Sequence, residues 1–360
     1  MILLKTIFEI NIINKIKINN NEISIYQKIY ILKIFFLVFL LLFGNLIFGY
    51  YINKIKTYEF LIMNNSFQIN KHIDLNYENI NFIVIRRTCR ICGLFSHYKN
   101  VLGCARKYII QGFIPIIEFE SYKNVLNGFT TNPPKGNPWE YYFNQPFGYK
   151  YSNIKKKAKN IKYIECKPSI LPYEKIYSNN ELKNYWHILA NKYMPIKNEI
   201  IKESNSIMNI LFKKSRNVLG VLLRGTDYLT KKPHKHSIPP KTSDVIKDAK
   251  LLDNKNKYDW IFLSTEDNKI RNEFIRGLGI KVKCLLNKAK IFYNYSSKKF
   301  LAYNINFKKN IEFNKIYLLN IIILSKCLDF IGAKTCGTIG IFILTNGFRN
   351  YKVYDLGHYK

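Results

Sequence analysis

Acidic residues are scarce in this chain of 360 residues: 24 Asp and Glu stand against 57 Lys and Arg, a formal net charge of +33. Such an excess of positive charge is typical of nucleic-acid-binding proteins. Only nine of the basic residues are arginine, however, and the lysines are spread among Asn, Ile and Tyr along the whole chain. Because base readout and bidentate phosphate contacts favour arginine, we expect no nucleic-acid partner. A basic surface would still favour anionic ligands such as nucleotides and acidic glycans.

Motifs for common cofactors are also lacking. No GxGxxG follows the first strand-like segment of either half of the chain, and no GxxxxGK[ST] occurs, which disfavours dinucleotide and P-loop sites. No repeat of solenoid period is found, which disfavours stacked-repeat folds. The composition, with 48% hydrophobic and 15% aromatic residues, is that of a chain with a large core and disfavours a disordered protein.

The seven cysteines show no regular spacing, and their odd number does not indicate a disulfide framework. Cys89 and Cys92 form a CxxC motif, but the second pair or spaced histidines that a zinc site needs are not apparent. A redox CxxC typically follows a strand, as this one does, so that alternative stays open. We expect reduced thiols and no metal.

A long apolar segment lies near the start of the sequence. Residues 34–51, IFFLVFLLLFGNLIFGYY, carry no charge, and roughly 20 such residues can span a bilayer. The stretch before it is long for a signal peptide, and no clear cleavage site follows. We therefore predict a single-pass membrane anchor over 31–52, after a basic segment, 1–30, and before a polar linker, 53–78. The side of the membrane on which the rest of the chain lies is left open.

Beyond the linker, strand and helix signals alternate in two blocks, which predicts an α/β fold with parallel sheets. We expect two Rossmann-like domains that face a cleft, over 79–214 and 215–360. Ser243 is the expected N-cap of one helix. Strands are predicted over 81–87, 114–120, 218–225, 259–267, 280–286, 328–333 and 351–357, and helices over 94–111, 179–213, 242–252, 268–278, 315–327 and 335–344.

Three strands of the second block end in polar residues, and in a parallel sheet such ends converge on one edge, where ligands bind. The first strand ends in Arg224, Gly225, Thr226 and Asp227. A guanidinium at this edge can grip a diphosphate through two parallel hydrogen bonds, and a glycine beside it allows a ligand or another backbone to come close. The alternative is a structural salt bridge between Arg224 and Asp227.

The other two polar ends complete the predicted anion site. One contains Glu266 and Asp267, and the other leads through Thr335, Gly337 and Thr338 into an apolar helix. The first N–H groups of a helix have no partner within it and carry a positive dipole end, so this start could hold phosphate. Three polar ends in one block favour a nucleotide or other anion.

A second set of candidates could line the first block's side of the cleft. Arg86, Arg87 and Arg90 close its first strand, with His97 nearby, and the carboxylates in or after its second strand include Glu118, Glu120 and Glu140. The alternative for the arginines is a solvated turn. In the second block, His234 and His236 lie two residues apart in a loop. A role for His236 beside the ligand and a solvated histidine are equally open, and neither predicts a metal site.

Five segments together resemble the fucosyltransferase superfamily with two Rossmann-like domains, the GT-B fold. This superfamily includes bacterial α1,2- and α1,6-fucosyltransferases and protein O-fucosyltransferases, and members that act on bacterial surface polysaccharides are the most similar. The resemblance covers about residues 80–360. It rests on the order and spacing of RRTCRICGLFSHYKNVLG, NPWEYYFNQPFGY, GVLLRGTDY, FLSTEDNKI and SKCLDFIGAKTCGTIG.

The resemblance implies roles for individual residues. Arg224 would contact the β-phosphate of the donor, Asp227 would support it, and Glu266 and Asp267 would lie near the nucleoside. Thr335 and Thr338 would hold phosphate. Many members have two adjacent arginines where this chain has Arg224 and Gly225.

The same resemblance makes 79–214 the acceptor-side domain and 215–360 the nucleotide-sugar-binding domain. It implies an inverting glycosyltransferase that needs no metal or cofactor and transfers a sugar, fucose from GDP-fucose, to a glycan. An inactive membrane-tethered protein of the same fold that binds a nucleotide or glycan is the alternative.

Overall fold

The computed structural model describes residues 77–89, 92–122, 124, 126, 136–167, 170–225, 227–285 and 307–360. The chain divides into two units, Met1–Gln68 and Ile69–Lys360, and all described residues belong to the second. The basic segment, the predicted anchor and the linker up to residue 76 lie outside the described residues. Within the described ranges, no helix combines the length and apolar character needed to cross a membrane.

The first half contains a three-stranded parallel sheet in the order β2-β1-β3. The first four residues of the central strand are fully buried, as expected for a parallel strand covered on both faces. The strands are β1 (Phe82–Arg86), β2 (Ile114–Glu118) and β3 (Ile161–Glu165), and the intervening helices are α1 (Leu94–Ile110) and α2 (Tyr151–Lys157). The strand β3 was not predicted, because its sequence IKYIE contains a lysine and a glutamate, is partly exposed and lacks the continuous apolar run of a central strand.

The second half contains a five-stranded parallel sheet in the order β6-β5-β4-β7-β8. Its first strand in sequence is central, and its fourth lies beside the first, which is the Rossmann strand order with its switch point between β4 and β7. The strands are β4 (Val218–Leu222), β5 (Trp260–Ser264), β6 (Val282–Lys283), β7 (Asp329–Ala333) and β8 (Tyr351–Tyr354). The α/β class and the parallel sheets are as predicted.

The helical pattern predicted over 179–213 forms two helices, because residues around Pro195 are not helical and a proline cannot continue a helix. The helix Asp227–Lys231 was not predicted, and the helix Phe307–Ser325 begins before its predicted start at residue 315. The N-cap position before Thr242 is Lys241, so the prediction of Ser243 as the cap was wrong. The helices are α3 (Asn180–Tyr193), α4 (Asn198–Phe212), α5 (Asp227–Lys231), α6 (Thr242–Asn256), α7 (Asn268–Leu278), α8 (Phe307–Ser325) and α9 (Cys336–Leu344); short 3-10 turns are Tyr77–Asn79, Pro138–Tyr141, Pro146–Gly148, Glu174–Tyr177 and Gly279–Lys281.

Helix α9 joins the two halves of the molecule. A Cβ atom on Gly340 would lie 2.2 Å from Cδ1 of Phe95 in α1, so the two helices approach closely only because this position is glycine. On the side of α3, the ring of His187 hydrogen-bonds the carbonyl of Ile343 at 2.8 Å. The helix that begins at the carboxyl edge of the second sheet therefore packs against helices of the first half.

Candidate functional site

Arg224 and Glu266 lie side by side at the carboxyl edge of the second sheet. Leu222 of β4 is in register with Ser264 of β5, and each charged residue follows two positions later. Nε of Arg224 is 3.5 Å from Oε1 of Glu266, and the two side chains are 26% and 16% exposed. The arginine therefore pairs with the acid of the neighbouring strand.

Tyr228, in the short helix α5, supports the same arginine from another side. The guanidinium carbon of Arg224 lies 4.3 Å from the centre of the Tyr228 ring, a cation–π contact. The hydroxyl of Tyr228 is 2.9 Å from Nδ1 of His236. The structure thus brings His236 to the predicted site, where it contacts the tyrosine that stacks on the arginine.

Asp267 has a structural position at the start of α7. It is 98% buried, and its Oδ1 accepts hydrogen bonds from the backbone N–H groups of Lys269 at 2.8 Å and Ile270 at 3.4 Å, as an N-cap does. A Cβ atom on Gly225 would lie 2.3 Å from Oδ2 of this aspartate. The lack of a side chain at Gly225 therefore leaves room for the start of α7. The backbone N–H of Gly225 donates a hydrogen bond to Oε1 of Glu266 at 3.1 Å.

The start of α9 contains the predicted threonines, but their hydroxyls are used within the protein. Oγ1 of Thr335 caps the helix by accepting the N–H of Thr338 at 3.1 Å. Thr338 is fully buried, and its hydroxyl donates to the carbonyl of Ala333 at 2.5 Å. The N–H groups of Cys336 and Gly337 are the first-turn donors that this cap does not take. An anion at this edge would meet backbone N–H groups rather than threonine hydroxyls.

Tyr317 of α8 connects the helix start with the arginine. A Cβ atom on Gly337 would lie 2.4 Å from its hydroxyl, so the tyrosine covers the first turn of α9. Burial raises the pKa of Tyr317, and the positive charge of Arg224 acts in the opposite direction. The Tyr317 ring also meets that of Phe95, with centres 5.9 Å apart. The first half of the molecule therefore reaches the site through α1.

Lys334, at the end of β7, is a second cation at this edge, but acids of other segments bind it. Its Nζ is 2.6 Å from Oδ2 of Asp355 and 3.3 Å from Oε2 of Glu174. Two carboxylates thus compensate its charge, whereas Arg224 faces one in the ion pair described above.

Arg86 and Glu118 form an ion pair at the carboxyl edge of the first sheet. The two residues are in register on β1 and β2, and Nε of Arg86 is 2.6 Å from Oε2 of Glu118. The carboxylate is fully buried and also accepts hydrogen bonds from the N–H and hydroxyl of Ser121, at 2.7 and 2.8 Å. Predicted as acceptor-side residues, the two side chains are thus engaged with each other.

His97 lies in the core of the first half rather than on a surface. It is fully buried, and its ring meets Phe119 edge to face at 5.0 Å. Burial, and to a lesser extent the charge of Arg87, lower the pKa of His97 to about 3. Because it is buried in this position, the His97 side chain is not accessible to a bound sugar acceptor. Its imidazole stays neutral at physiological pH.

The backbone of Arg87 and the side chain of Glu140 form hydrogen bonds within the first half. The backbone N–H of Arg87 donates to the hydroxyl of Tyr122 at 3.1 Å. Oε1 of Glu140 accepts from the Gln145 amide at 2.9 Å, and that amide also binds the backbone of β2 at Ile117. The polar loop before α2 is in this way attached to the edge of the first sheet.

Cys89 and Cys92 are joined by a disulfide, so the prediction that this CxxC consists of reduced thiols was wrong. Nη2 of Arg87 lies 3.7 Å from Sγ of Cys92. Among the described residues, no group of three or more His, Cys, Asp or Glu side chains is placed to hold a metal.

Two predicted positions lie outside what the structure describes, Arg90 and Thr226, and the side chain of Asp227 is also outside it. Asp227 is the first residue of α5, and the structure describes only its backbone. The roles expected for these residues stay predictions.

Sequence reasoning missed three contributors to the site: Tyr228, Tyr317 and Cys336. Tyr228 directly follows the polar strand end, and an aromatic residue one helical turn after an arginine is a usable signal for cation–π stacking. Tyr317 comes from a helix almost a hundred residues further along the chain, and only the fold brings it to the arginine. Cys336 contributes a backbone group, which its identity does not reveal.

Comparison with known proteins finds no matching family model and no matching curated protein. Solved structures do match. NodZ alpha-1,6-fucosyltransferase soaked with GDP-fucose is 14% identical, over 74% of this chain and 93% of that chain, with a TM-score of 0.42. Fucosyltransferase NodZ from Bradyrhizobium is 12% identical over 74% and 94%, with a TM-score of 0.45. POFUT1 in complex with GDP is 10% identical over 77% and 99%, with a TM-score of 0.41.

Proposed function

We propose that this protein is a glycosyltransferase that transfers a sugar from a GDP-linked donor, specifically fucose from GDP-fucose, to a glycan. One observation carries the proposal. At the switch point of a five-stranded parallel sheet, a partly exposed arginine stacks on Tyr228 at the edge where helix α9 begins. An arginine and the N–H groups of a helix start are donors that can bind a diphosphate.

The chemistry we propose is displacement at the anomeric carbon with inversion. The bond from that carbon to the diphosphate oxygen breaks, and a bond to the acceptor oxygen forms. Arg224 and the N–H of Cys336, a partly exposed residue at the start of α9, stabilise the negative charge that grows on the leaving GDP. The acceptor hydroxyl gives its proton to a general base. These donors supply the positive charge at the diphosphate, so the proposed reaction uses no metal and no cofactor.

Glu118, Glu120 and Glu140, the carboxylates predicted on the first block's side of the cleft, are the candidates for the general base. Their contacts decide which of them an acceptor can reach. Glu118 is fully buried and paired with Arg86, and Glu140 binds the Gln145 amide. Glu120 is exposed, and its charge raises the pKa of Tyr141 after the larger effect of burial. Glu120 is therefore the one of the three that an acceptor can reach without breaking a described ion pair or amide contact.

A protein of this fold that binds a nucleotide without transferring sugar is the second candidate. The observation that favours it is the same burial of Glu118 and His97, which removes two predicted acceptor-side groups from contact with a ligand. For either function, we propose that residues 31–52 attach the chain to a membrane.

The experiment uses the full-length protein in detergent, without metal, in a thermal-shift series with GDP, UDP, CDP and ADP. A nucleotide at about 100 times its Kd stabilises the folded state by about 2.7 kcal/mol. We expect a shift with GDP, followed by release of GDP from GDP-fucose in the presence of glycan acceptors. Binding of GDP without turnover of any GDP-sugar would favour the second candidate. A folded protein that responds to none of the nucleotides would refute both.

A further inference from the structure

A second pair of cysteines meets in the core of the first half. Cys104 lies in α1, and Cys166 directly follows β3; the two side chains are 2% and 3% exposed. Their sulfur atoms are 2.6 Å apart. That is well inside the separation of two sulfur atoms in non-bonded contact, and about 0.5 Å more than the ~2.05 Å of a disulfide bond.

Backbone contacts around the pair hold its two segments together independently of the sulfur atoms. A Cβ atom on Gly103 would lie 2.0 Å from the carbonyl oxygen of Ile170, so the chain after β3 crosses α1 at the residue next to Cys104. The backbone N–H of Cys166 donates to the carbonyl of Arg86 at 2.5 Å, which extends the pairing of β3 with β1. Sγ of Cys166 is also 3.3 Å from the carbonyl oxygen of Asn100, one turn before Cys104 in α1.

We propose that Cys104 and Cys166 form a disulfide that joins α1 to the segment after β3. With Cys89–Cys92, the first half then contains two disulfides: Cys89 lies three residues after the end of β1, and the backbone of Cys166 hydrogen-bonds Arg86, the last residue of β1. The remaining three of the seven cysteines, Cys284, Cys327 and Cys336, stay free. Because disulfides persist in oxidising compartments, the proposal implies that this half folds in one.

The bond forms by two thiol–disulfide exchanges with a small disulfide such as oxidised glutathione. Cys104 attacks one glutathione sulfur and releases one glutathione thiol; Cys166 then attacks the mixed disulfide at Cys104 and releases the second. The two cysteines lose two electrons and two protons, and one glutathione disulfide becomes two thiols. A hydrogen bond from the Cys166 thiol, with the charges of Arg87 and Lys107, lowers the pKa of Cys104 against the effect of burial.

Peptide mapping of the full chain tests the pairing. The protein is produced in an oxidising compartment, purified without reductant, denatured in N-ethylmaleimide and digested with trypsin, which places the four cysteines of the first half on TCR, ICGLFSHYK, NVLGCAR and YIECKPSILPYEK. We expect NVLGCAR joined to YIECKPSILPYEK and neither peptide alkylated. Cys327, which is also 3% exposed, is the matched control and should be alkylated. Alkylation of Cys104 or Cys166, or a bond from either to another cysteine, would overturn the proposal.

Thermal unfolding with and without a reductant tests whether the proposed bond stabilises the folded protein. In the double variant Cys89→Ala, Cys92→Ala, the proposed bond is the only disulfide left, and it spans a sequence separation of 62. Closing so long a loop restricts the unfolded chain, so a reductant should lower the Tm of this variant. The reductant should leave the Tm unchanged when Cys104→Ala and Cys166→Ala are added. An unchanged Tm in the double variant would equally contradict the proposal.

Discussion

Replacement of Arg224 by alanine tests the proposed diphosphate site most directly. Hydrogen bonds to charged groups contribute about 1.5–3 kcal/mol each, so loss of the guanidinium should raise the Kd for GDP roughly 10- to 150-fold. Arg224→Lys keeps the charge but loses the forked geometry and the stacking on Tyr228, and it should fall between wild type and alanine. Isothermal titration calorimetry of the full-length protein measures each Kd.

The structure offers a control with the same loss of charge. Arg276 is exposed in the last turn of α7, at the opposite end of that helix from Asp267. Arg276→Ala changes the net charge equally, so it reports the part of any effect that is due to long-range attraction of an anion. We expect it to bind GDP as wild type does at about 0.15 M salt, where the screening length is about 8 Å.

The fold should survive the substitution of Arg224. Glu266 keeps the N–H of Gly225 as a donor at 3.1 Å, and both charged side chains are partly exposed, so we expect about 1 kcal/mol of lost stability. Urea unfolding separates this loss from the loss of binding. If Arg224→Ala binds GDP with the affinity of the Arg276→Ala control while remaining folded, the assignment of the diphosphate to Arg224 is wrong.

Predictions for substitutions at three other residues follow from the described contacts. Gly225→Ala puts a Cβ atom 2.3 Å from Oδ2 of Asp267, and it should lower the free energy of unfolding in urea by about 1–3 kcal/mol; unchanged stability would contradict this packing. Tyr228→Phe keeps the ring beside Arg224 and should bind GDP nearly as wild type does, whereas Tyr228→Ala should weaken binding by about 0.5–2 kcal/mol in calorimetry; equal effects would argue against the stacking. His97 has a pKa of about 3 when folded and about 6.5 when unfolded, so the unfolded state binds the extra proton between these values and stability falls as the pH drops through that window. From about pH 7.5 to pH 5 this loss is ~2 kcal/mol, and His97→Leu should remove it from urea curves; parallel pH profiles would refute the burial of a neutral His97.

The second sheet and the polar segments at its carboxyl edge were predictable because local signals and fold agree there. The apolar run before Arg224 marks a central strand, Asp267 before α7 is a strong N-cap residue, and Thr335 is followed three residues later by an N–H that it caps. Each signal lies within a few residues of the structure it predicts. Strand order then brings the three segments to one edge.

What could not be predicted depends on bonds and contacts that a short stretch of sequence does not specify. Cys89–Cys92 is a short-range bond, but sequence spacing does not distinguish a disulfide from two thiols. Tyr317 approaches Gly337 only because α8 packs beside α9. The edge strand β3 was missed because its residues are partly exposed and show no continuous apolar run. Its pairing with β1, rather than the intrinsic preference of its residues, makes this segment a strand.

Parallel register explains why polar strand ends have different outcomes in the two sheets. Residues at equal positions of neighbouring parallel strands lie side by side, so Arg86 meets Glu118 and Arg224 meets Glu266. In the first sheet the carboxylate is fully buried and has Ser121 as a further donor, and the pair serves the fold. In the second sheet both partners remain partly exposed beside a tyrosine that covers a helix start. The arginines do not distinguish the two pairs, since Arg86 is 34% and Arg224 26% exposed; the partly exposed carboxylate of Glu266 and the helix start at the same edge are what favour a ligand site in the second sheet.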